Sequence, residues 1–397
     1  MTHITAFRNN VNPLTRGALF YLFYWGAVGT YMPFINVYFE QNLHFTGRQI
    51  SILALFPPLM SLVFAMPLST LADRRQWRIR VLTISVAVMM ILLLFAAIPQ
   101  NFYTWIFMML ILSVFMSPIV PISDSLIARM ASQYNLNFGS MRMWGSFSFA
   151  TLAIAGGALW QQVGFEPMFL AGSLVLLPAL FFTNTLEERY TNTETQTRQG
   201  AIRKIGQDVG ILILLVASFL VGAAIYNSII YDGIYMNQLG GSQLFIGLMF
   251  GLSAFSEVPV MQYSGKLIAR LGQVQALLLA YSFLIVAYCG YVWALTPTFL
   301  VLMAAVKGLG FGLFYVGTVR ILSERTPPGL DSTVQAMYSV STFGLAPLFV
   351  SLISGEIYDR FGPSTIFAFN VGSISLAMLL LTIVLWRGVF SEKTTSN

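Results

Sequence analysis

The sequence predicts an all-α membrane protein, with twelve transmembrane helices arranged as two six-helix bundles. Of its 397 residues, 57% are hydrophobic and only 9% are charged, whereas about a quarter of the residues of a soluble domain are charged. The apolar residues form runs long enough to cross about 30 Å of hydrocarbon as helix, which takes around 20 residues. The runs do not alternate as the strands of a membrane barrel do, and this favours helices.

Twelve such runs are present, and the polar residues between them predict the loops. The predicted spans are 16–39, 48–71, 78–98, 103–130, 142–161, 166–185, 209–237, 243–269, 273–295, 298–322, 332–356 and 364–387. An even number of spans places both termini on one side of the membrane. The loops on that side contain most of the Lys and Arg residues. Since basic loops stay in the cytoplasm, we expect a bacterial-type inner-membrane protein with both termini cytoplasmic.

One polar, Thr-rich segment interrupts the apolar rhythm and predicts a cytoplasmic linker at 187–208. It divides the chain into an N-terminal bundle, 1–186, and a C-terminal bundle, 209–397. The two parts repeat at a nearly constant offset, 196 residues in the first two loops and 198 in a later one. The corresponding pairs include Leu43 with Leu239, Thr46 with Ser242, Ile50 with Ile246, Gly164 with Gly362 and Phe169 with Phe367. Parallel halves with a cavity between them are typical of secondary transporters.

The charge and the metal-binding residue types argue against several classes of protein. The net charge is +6, but the basic residues lie in small groups at the ends of apolar runs, so we expect no nucleic-acid partner. Cys289 is the only cysteine and the two histidines, His3 and His44, lie in a tail and a loop. We therefore expect no disulfide, metal site or other cofactor, with a proton gradient as the energy source.

Two charges in the first half define the strongest candidate site. Asp124 lies inside one apolar run and Arg142 at the start of the next, with a short polar loop between them. A charge within a bilayer is costly unless it is paired or meets water, so it indicates function. The pair could bind a substrate hydroxyl or carboxylate through the guanidinium, or could be a structural ion pair between neighbouring helices.

Three further charged residues lie within spans of the second half. Glu257 is near the middle of its span, where a carboxylate that loses water when a cavity closes could carry a proton; we rank it slightly above Asp124 for that role. The alternative is an acid hydrogen-bonded to a neighbouring helix. Asp232 and Lys307 could form an ion pair between two helices. We expect this pair to be structural in the first place, and a role in proton coupling is the second possibility. Asn227 and Tyr231 are candidate polar groups of the cavity.

The loop after the second span, STLADRRQWRIR, resembles the signature of major facilitator transporters. Asp73, Arg74 and Arg78 match its charged positions, whereas Ser69 and Gln76 stand where the family has glycine. The resemblance implies a cytoplasmic gate, in which the aspartate caps a helix of the other half when that side is shut.

The segment FGSMRMWG, 138–145, is similar to the fifth helix of the lactose permease group, which includes oligosaccharide, nucleoside and phenylpropionate proton symporters. The resemblance implies that Arg142 binds substrate with Asp124 as its partner. Phe149 falls near the tryptophan that stacks on sugar, and Tyr31 lies in GTYMPF, which looks like part of the first helix. Stacking on a ring substrate would suit both aromatic residues. The positions of two charged permease residues are occupied by Ala254 and Ala287.

We therefore expect a secondary transporter rather than an enzyme, a monomer that imports a sugar, nucleoside or aromatic acid together with protons by alternating access. An exporter of the same fold is the first alternative. A membrane sensor or enzyme is the second, although no nucleophile with a base and no metal cluster is visible in the sequence.

Overall fold

A computed structural model describes residues 11–98, 101–187, 208–326 and 331–387, and these residues form helices joined by short loops. The helices are α1 Pro13–Gln41, α2 Gly47–Arg75, α3 Arg78–Leu94, α4 Phe102–Gln133, α5 Phe138–Val163, α6 Pro167–Thr183, α7 Val209–Gln238, α8 Gln243–Leu271, α9 Gln273–Val292, α10 Pro297–Arg325, α11 Thr333–Phe361 and α12 Pro363–Trp386. Nine helices of the described segments are long and apolar enough to cross a membrane. The all-α membrane fold is confirmed.

The helix bounds agree with the predicted spans to within five residues, and differences of four or five residues occur at the ends of α2, α3 and α11 and at the start of α5. Helix α5 begins at Phe138, so Arg142 lies one turn inside it rather than at its start. The Asn137 side chain caps α5 by accepting the backbone N–H of Gly139. Residues 188–207, which include nearly all of the predicted linker, lie outside the described residues.

Two helices that face each other across the halves, α2 and α11, each contain one turn of wider π-helix. These turns are Ser61–Ala65 and Ser341–Leu345. In α2 the turn follows Pro57 and Pro58, which lack the amide hydrogen that an α-helix needs. The two turns are in contact, because a methyl group on Gly344 would lie 2.6 Å from the Leu62 side chain. Such turns are frequent where function requires a local irregularity in a helix.

Four helices have a C-cap residue with a positive φ angle: Gln76 is left-handed helical (ψ 43°), whereas the other three are glycines with an extended ψ (179°, 157° and 175°). The terminating residues are Gln76 (φ 55°) after α2, Gly164 (φ 83°) after α5, Gly272 (φ 91°) after α8 and Gly362 (φ 79°) after α11. Each follows a small residue by seven positions: Ser69, Gly157, Gly265 and Gly355 respectively. A glycine adopts this conformation without the steric cost that a side chain imposes. This pairing of a small residue with a helix end therefore occurs twice in each half, in addition to the repeat between the halves that the sequence shows.

The two halves, α1–α6 and α7–α12, approach closely along α5 and α8. A methyl group on Gly251 of α8 would lie 2.9 Å from the carbonyl oxygen of Ala150 in α5. A methyl group on Gly157 of α5 would lie 3.1 Å from the Cα atom of Leu244 in α8. Small residues let helix backbones touch in this way in membranes. These contacts hold the halves together beside a central cavity.

The end of the bundle that carries Pro13, Arg75 and Trp386 is called here the basic end, and the other the opposite end. At the opposite end the halves are joined by hydrogen bonds, here called the opposite-end lock. Asp359 accepts hydrogen bonds from the backbone N–H groups of Gly47 (2.7 Å) and Arg48 (3.0 Å). The hydroxyl groups of Tyr231 and Ser51 are bonded to each other at 2.6 Å. Glu40 accepts hydrogen bonds from Tyr358 and from Gln238 (3.3 Å).

At the basic end, α2 is largely uncovered over its last turns. Met66 is 66% exposed and Leu71 is 43% exposed. The cavity is closed at the opposite end and extends towards the basic end, where Met261, Tyr315 and Ser339 line it.

Candidate functional site

The candidate site is a cavity of about 710 Å³ between the two halves, within the roughly 300–1,000 Å³ of pockets that hold small ligands. Both halves line it, and its wall is mainly apolar. The residues that carry the argument below are Trp25, Asp124, Arg142 and Phe149 from the first half, with Glu257 and Lys307 from the second.

Asp124 and Arg142 form an ion pair at the cavity wall. The Arg142 Nη1 donates to Asp124 Oδ2 at 2.6 Å, and the side chains of Asp124 and Arg142 are 32% and 42% exposed. The other carboxylate oxygen, Oδ1, accepts from the Tyr21 hydroxyl at 2.6 Å. The predicted pairing of α4 with α5 is thus confirmed, and α1 contributes a third member that the sequence did not indicate.

Glu257 lines the cavity from the middle of α8. Among the described residues, no side chain pairs with its carboxylate or donates a hydrogen bond to it. The positive charge that acts on this carboxylate is that of Lys307. Glu257 is therefore the cavity acid that remains available to a proton or a solute.

Asp232 and Lys307 form a second ion pair, as the sequence predicted, between α7 and α10. Ser228 bridges them: its hydroxyl donates to Asp232 Oδ1 at 2.6 Å and accepts from the Lys307 ammonium at 2.8 Å. The Asp232 and Lys307 side chains are 1% and 14% exposed. The ammonium also lies 5.6 Å from the centre of the Tyr291 ring, a cation–π distance.

The charges around the cavity consequently do not cancel. Asp124 is matched by Arg142, and Asp232 is matched by Lys307. Glu257 has no counter-ion among the described residues. A carboxylate that is charged and unpaired is costly wherever water is excluded.

The aromatic prediction is correct in position for Phe149 and wrong for Tyr31. Phe149 lines the cavity together with Trp25, which lies on α1. Tyr31 is 4% exposed, and its ring packs against α6, 3.2 Å from where a methyl group on Gly172 would lie. It therefore turns away from the cavity.

Asn227 and Tyr231 are also not cavity residues. Asn227 is 1% exposed and donates to Asn370 at 2.8 Å while it accepts from Ser354 at 2.5 Å, which ties α7 to α11 and α12. Tyr231 is fully buried in the opposite-end lock, where its ring stacks on that of Tyr358 with the centroids 5.0 Å apart. Neither side chain reaches a solute in this conformation.

The residues of the predicted gate lie at the basic end, at the junction of α2 and α3. Asp73 accepts from the guanidinium of Arg78, whose side chain is 10% exposed, and Arg74 is exposed. Asp73 therefore bonds within its own half while the basic end is open.

The sequence reasoning missed Tyr21 and the acids of the opposite-end lock, Glu40 and Asp359. For Asp359 a signal was present, because GEIYDRFG, 355–362, has the spacing of the signature in the loop after α2. Tyr21 and Glu40 carry no such pattern, since their partners are distant in the chain.

A family model described as the MFS_1 like family matches residues 14–369. The chain belongs to this family of major facilitator transporters. The maltose permease of Geobacillus stearothermophilus is 29% identical over 367 residues, covering 92% of this chain and 91% of the permease. A probable 3-phenylpropionic acid transporter of Escherichia coli is 23% identical and covers 87% and 91%.

Solved structures of major facilitator transporters share the fold. The nucleoside transporter NupG superimposes with a TM-score of 0.82 at 16% identity, covering 96% of this chain and 100% of NupG. A bacterial homologue of the lysosomal transporter Spinster, inward-facing and unoccupied, superimposes with a TM-score of 0.65 at 15% identity, covering 95% of each chain. Membership of this family and the likeness to the permease identify the chain as a multi-pass membrane transporter and not an enzyme.

Proposed function

We propose that the protein is a proton-coupled symporter that imports a small neutral polyhydroxyl solute, a sugar or glycoside. The observation that carries the proposal is Glu257, which is the one cavity acid without a counter-ion among the described residues. When the halves close around a solute, water leaves, and a proton on Glu257 would make the cavity neutral. Closure would then require the proton as well as the solute, which couples their movements.

The charge pairing also supports a neutral solute over an aromatic acid. Arg142 and Lys307 are already matched by Asp124 and Asp232, so a solute carboxylate would lack a free cation. Hydroxyl groups can bond to the remaining donors of Arg142, while Trp25 and Phe149 offer flat apolar surfaces to a sugar ring. The likeness to a maltose permease agrees with this substrate class.

The proposed cycle follows from the two ends of the bundle. We infer that the basic end faces the cytoplasm, since its loops carry the Arg cluster of 74–80. The described conformation would then be inward-open, with the opposite-end lock shut. Opening to the outside would break that lock and bring the basic ends of α2 and α11 together. Asp73 would then release Arg78 and cap the start of α11 instead. The protein would act as a monomer in the cytoplasmic membrane, driven by the proton gradient alone.

Glu257→Gln tests the proposal, because it imitates the protonated acid. In proteoliposomes, we expect this variant to lose accumulation of radiolabelled maltose against its gradient but to retain maltose counterflow, in which no net proton moves. Accumulation equal to that of the unmodified protein would overturn the coupling role of Glu257.

The direction of transport needs a separate measurement. We expect accumulation in right-side-out vesicles energised by an inward proton gradient. Accumulation only in everted vesicles would instead identify an exporter of the same fold.

A further inference from the structure

We propose that Tyr21 is a positioning residue of the solute site: its hydroxyl fixes Asp124 as a permanent partner of Arg142 and keeps Asp124 out of the proton cycle. This inference rests on the proposed function, because it assigns the solute contact to Arg142 and the proton to Glu257.

The hydrogen bonds of Asp124 are the first support. Tyr21 donates to one carboxylate oxygen and Arg142 to the other, each at 2.6 Å. Both are short, as expected for hydrogen bonds to a charged acceptor. A proton on Asp124 would remove the negative charge that pairs with Arg142 and would weaken both charge-assisted hydrogen bonds. Glu257 has no such donors among the described residues and can take a proton without breaking a bond.

The packing around Tyr21 is the second support. The residue is fully buried, and its ring meets Phe138 of α5 edge-on with the centroids 6.3 Å apart. The Arg142 guanidinium lies 6.0 Å from the centre of the same ring. The phenol therefore cannot turn away from Asp124 unless α1 and α5 repack. Since α1, α4 and α5 all belong to the first half, the three side chains would move as one rigid unit when the halves rock.

The remaining donors of Arg142 are the third support. Arg142 Nη1 is bonded to Asp124 and the guanidinium also lies against Tyr21, but the side chain is 42% exposed at the cavity wall, which leaves N–H donors for a solute. Their direction depends on Asp124, which in turn depends on Tyr21. The other titratable groups near the pair are Tyr24 on α1 and Tyr315, which faces Arg142 from α10. Neither donates a hydrogen bond to Asp124, so Tyr21 alone supplies the second anchor.

Tyr21→Phe tests the positioning role, because it removes the hydroxyl and keeps the ring. Because the hydroxyl fixes the carboxylate that orients Arg142, we expect the KM for maltose uptake in proteoliposomes to rise roughly tenfold or more, with Vmax largely retained. In an Asp124→Asn background, where the pair is already lost, Tyr21→Phe should have little further effect.

The matched control is Tyr38→Phe, which removes the hydroxyl of another buried tyrosine near the far end of α1. We expect its KM to stay unchanged. Equal KM values for Tyr21→Phe and Tyr38→Phe would overturn the positioning role. Tyr21→Met, which lacks both hydroxyl and ring, serves as a second variant if the first is unstable.

A measurement without any solute separates this inference from the proposed function. Infrared titration of the purified protein counts the carboxyl groups that take up protons between mildly alkaline and mildly acidic pH. In the unmodified protein and in Tyr21→Phe, we expect one carboxyl signal that disappears when Glu257→Gln is added. In Tyr21→Phe, we expect a second carboxyl signal, which disappears when Asp124→Asn is added. Failure of the unmodified protein to transport maltose would refute the proposed substrate only, whereas the absence of the additional signal would refute the role of Tyr21.

Discussion

At the residue scale, the Asp232–Lys307 pair illustrates how costly a buried charge becomes when its partner is removed. Breaking a buried ion pair at one side costs about 3–5 kcal/mol, while replacing both partners is often neutral. Asp232→Asn should therefore lower the melting temperature in detergent markedly, because the Lys307 ammonium stays buried and unmatched. Asp232→Asn combined with Lys307→Gln should recover most of the lost stability.

Ser228→Ala is the control for this prediction, since it removes the bridging hydroxyl and keeps both charges. We expect a smaller decrease in melting temperature than for Asp232→Asn. A double variant no more stable than Asp232→Asn would show that the pair does not act as a unit.

Residue pairs could be predicted from the sequence more reliably than the direction of single side chains. Both ion pairs were predicted, because few charges occur inside the spans and each needs a partner. Tyr31, Asn227 and Tyr231 were wrongly placed in the cavity. The helices that carry them are apolar on every side, so no hydrophobic stripe shows how each is rotated about its axis.

At the element scale, the start of α2 is capped twice. Thr46 caps it within its own half through a capping box with Gln49, and Asp359 caps it from α11 of the other half. The second cap exists only while the opposite end is closed. A capping side chain contributes about 0.5–2 kcal/mol, so Asp359→Ala should favour opening of that end by roughly two- to thirtyfold.

Labelling of a cavity cysteine would measure this shift. In a Cys289→Ser background, Ser253→Cys places one thiol at the cavity wall. We expect a membrane-impermeant thiol reagent, added from the side of the opposite end, to react faster when Asp359→Ala is present. Asp359→Asn should have a weaker effect, because asparagine also caps helices. Glu356→Ala, which removes a neighbouring acid paired to Arg360, should leave labelling unchanged.

The elements themselves could be predicted because their length and hydropathy are set by the bilayer. The irregular turns could not. The π-helical turn of α2 follows two prolines that the sequence shows, but the turn of α11 follows none, so no shared local pattern marks both turns. The helix ends with a positive φ angle were partly visible, because glycine occupies three of the four positions.

At the scale of the whole molecule, the proposed cycle requires the opposite-end lock to open once in each turnover. Glu40 and Gln238 lie on different halves, with a hydrogen bond of 3.3 Å between their side chains. In the Cys289→Ser background, Glu40→Cys with Gln238→Cys should be joined by a short, reducible bis-maleimide. We expect maltose uptake to stop after cross-linking and to return after reduction of the linker.

The variants with a single cysteine at either position are the controls, and the reagent should leave their uptake largely unchanged. Undiminished uptake by the cross-linked double variant would contradict a cycle that separates the two halves at this end.

The recurrence of one helix-end motif after α2, α5, α8 and α11 has a thermodynamic consequence. The contacts that close the opposite end, Gly157 against α8 and Gly355 against α2, have counterparts at the basic end in Ser69 and Gly265, so both ends of the passage are built from equivalent parts. A transporter with equivalent ends has no structural feature that permits flux in one direction only. In the proposed symport, the net flux would reverse direction whenever the summed electrochemical potentials of solute and proton reverse, and the gradients rather than the architecture would determine whether the solute accumulates inside the cell.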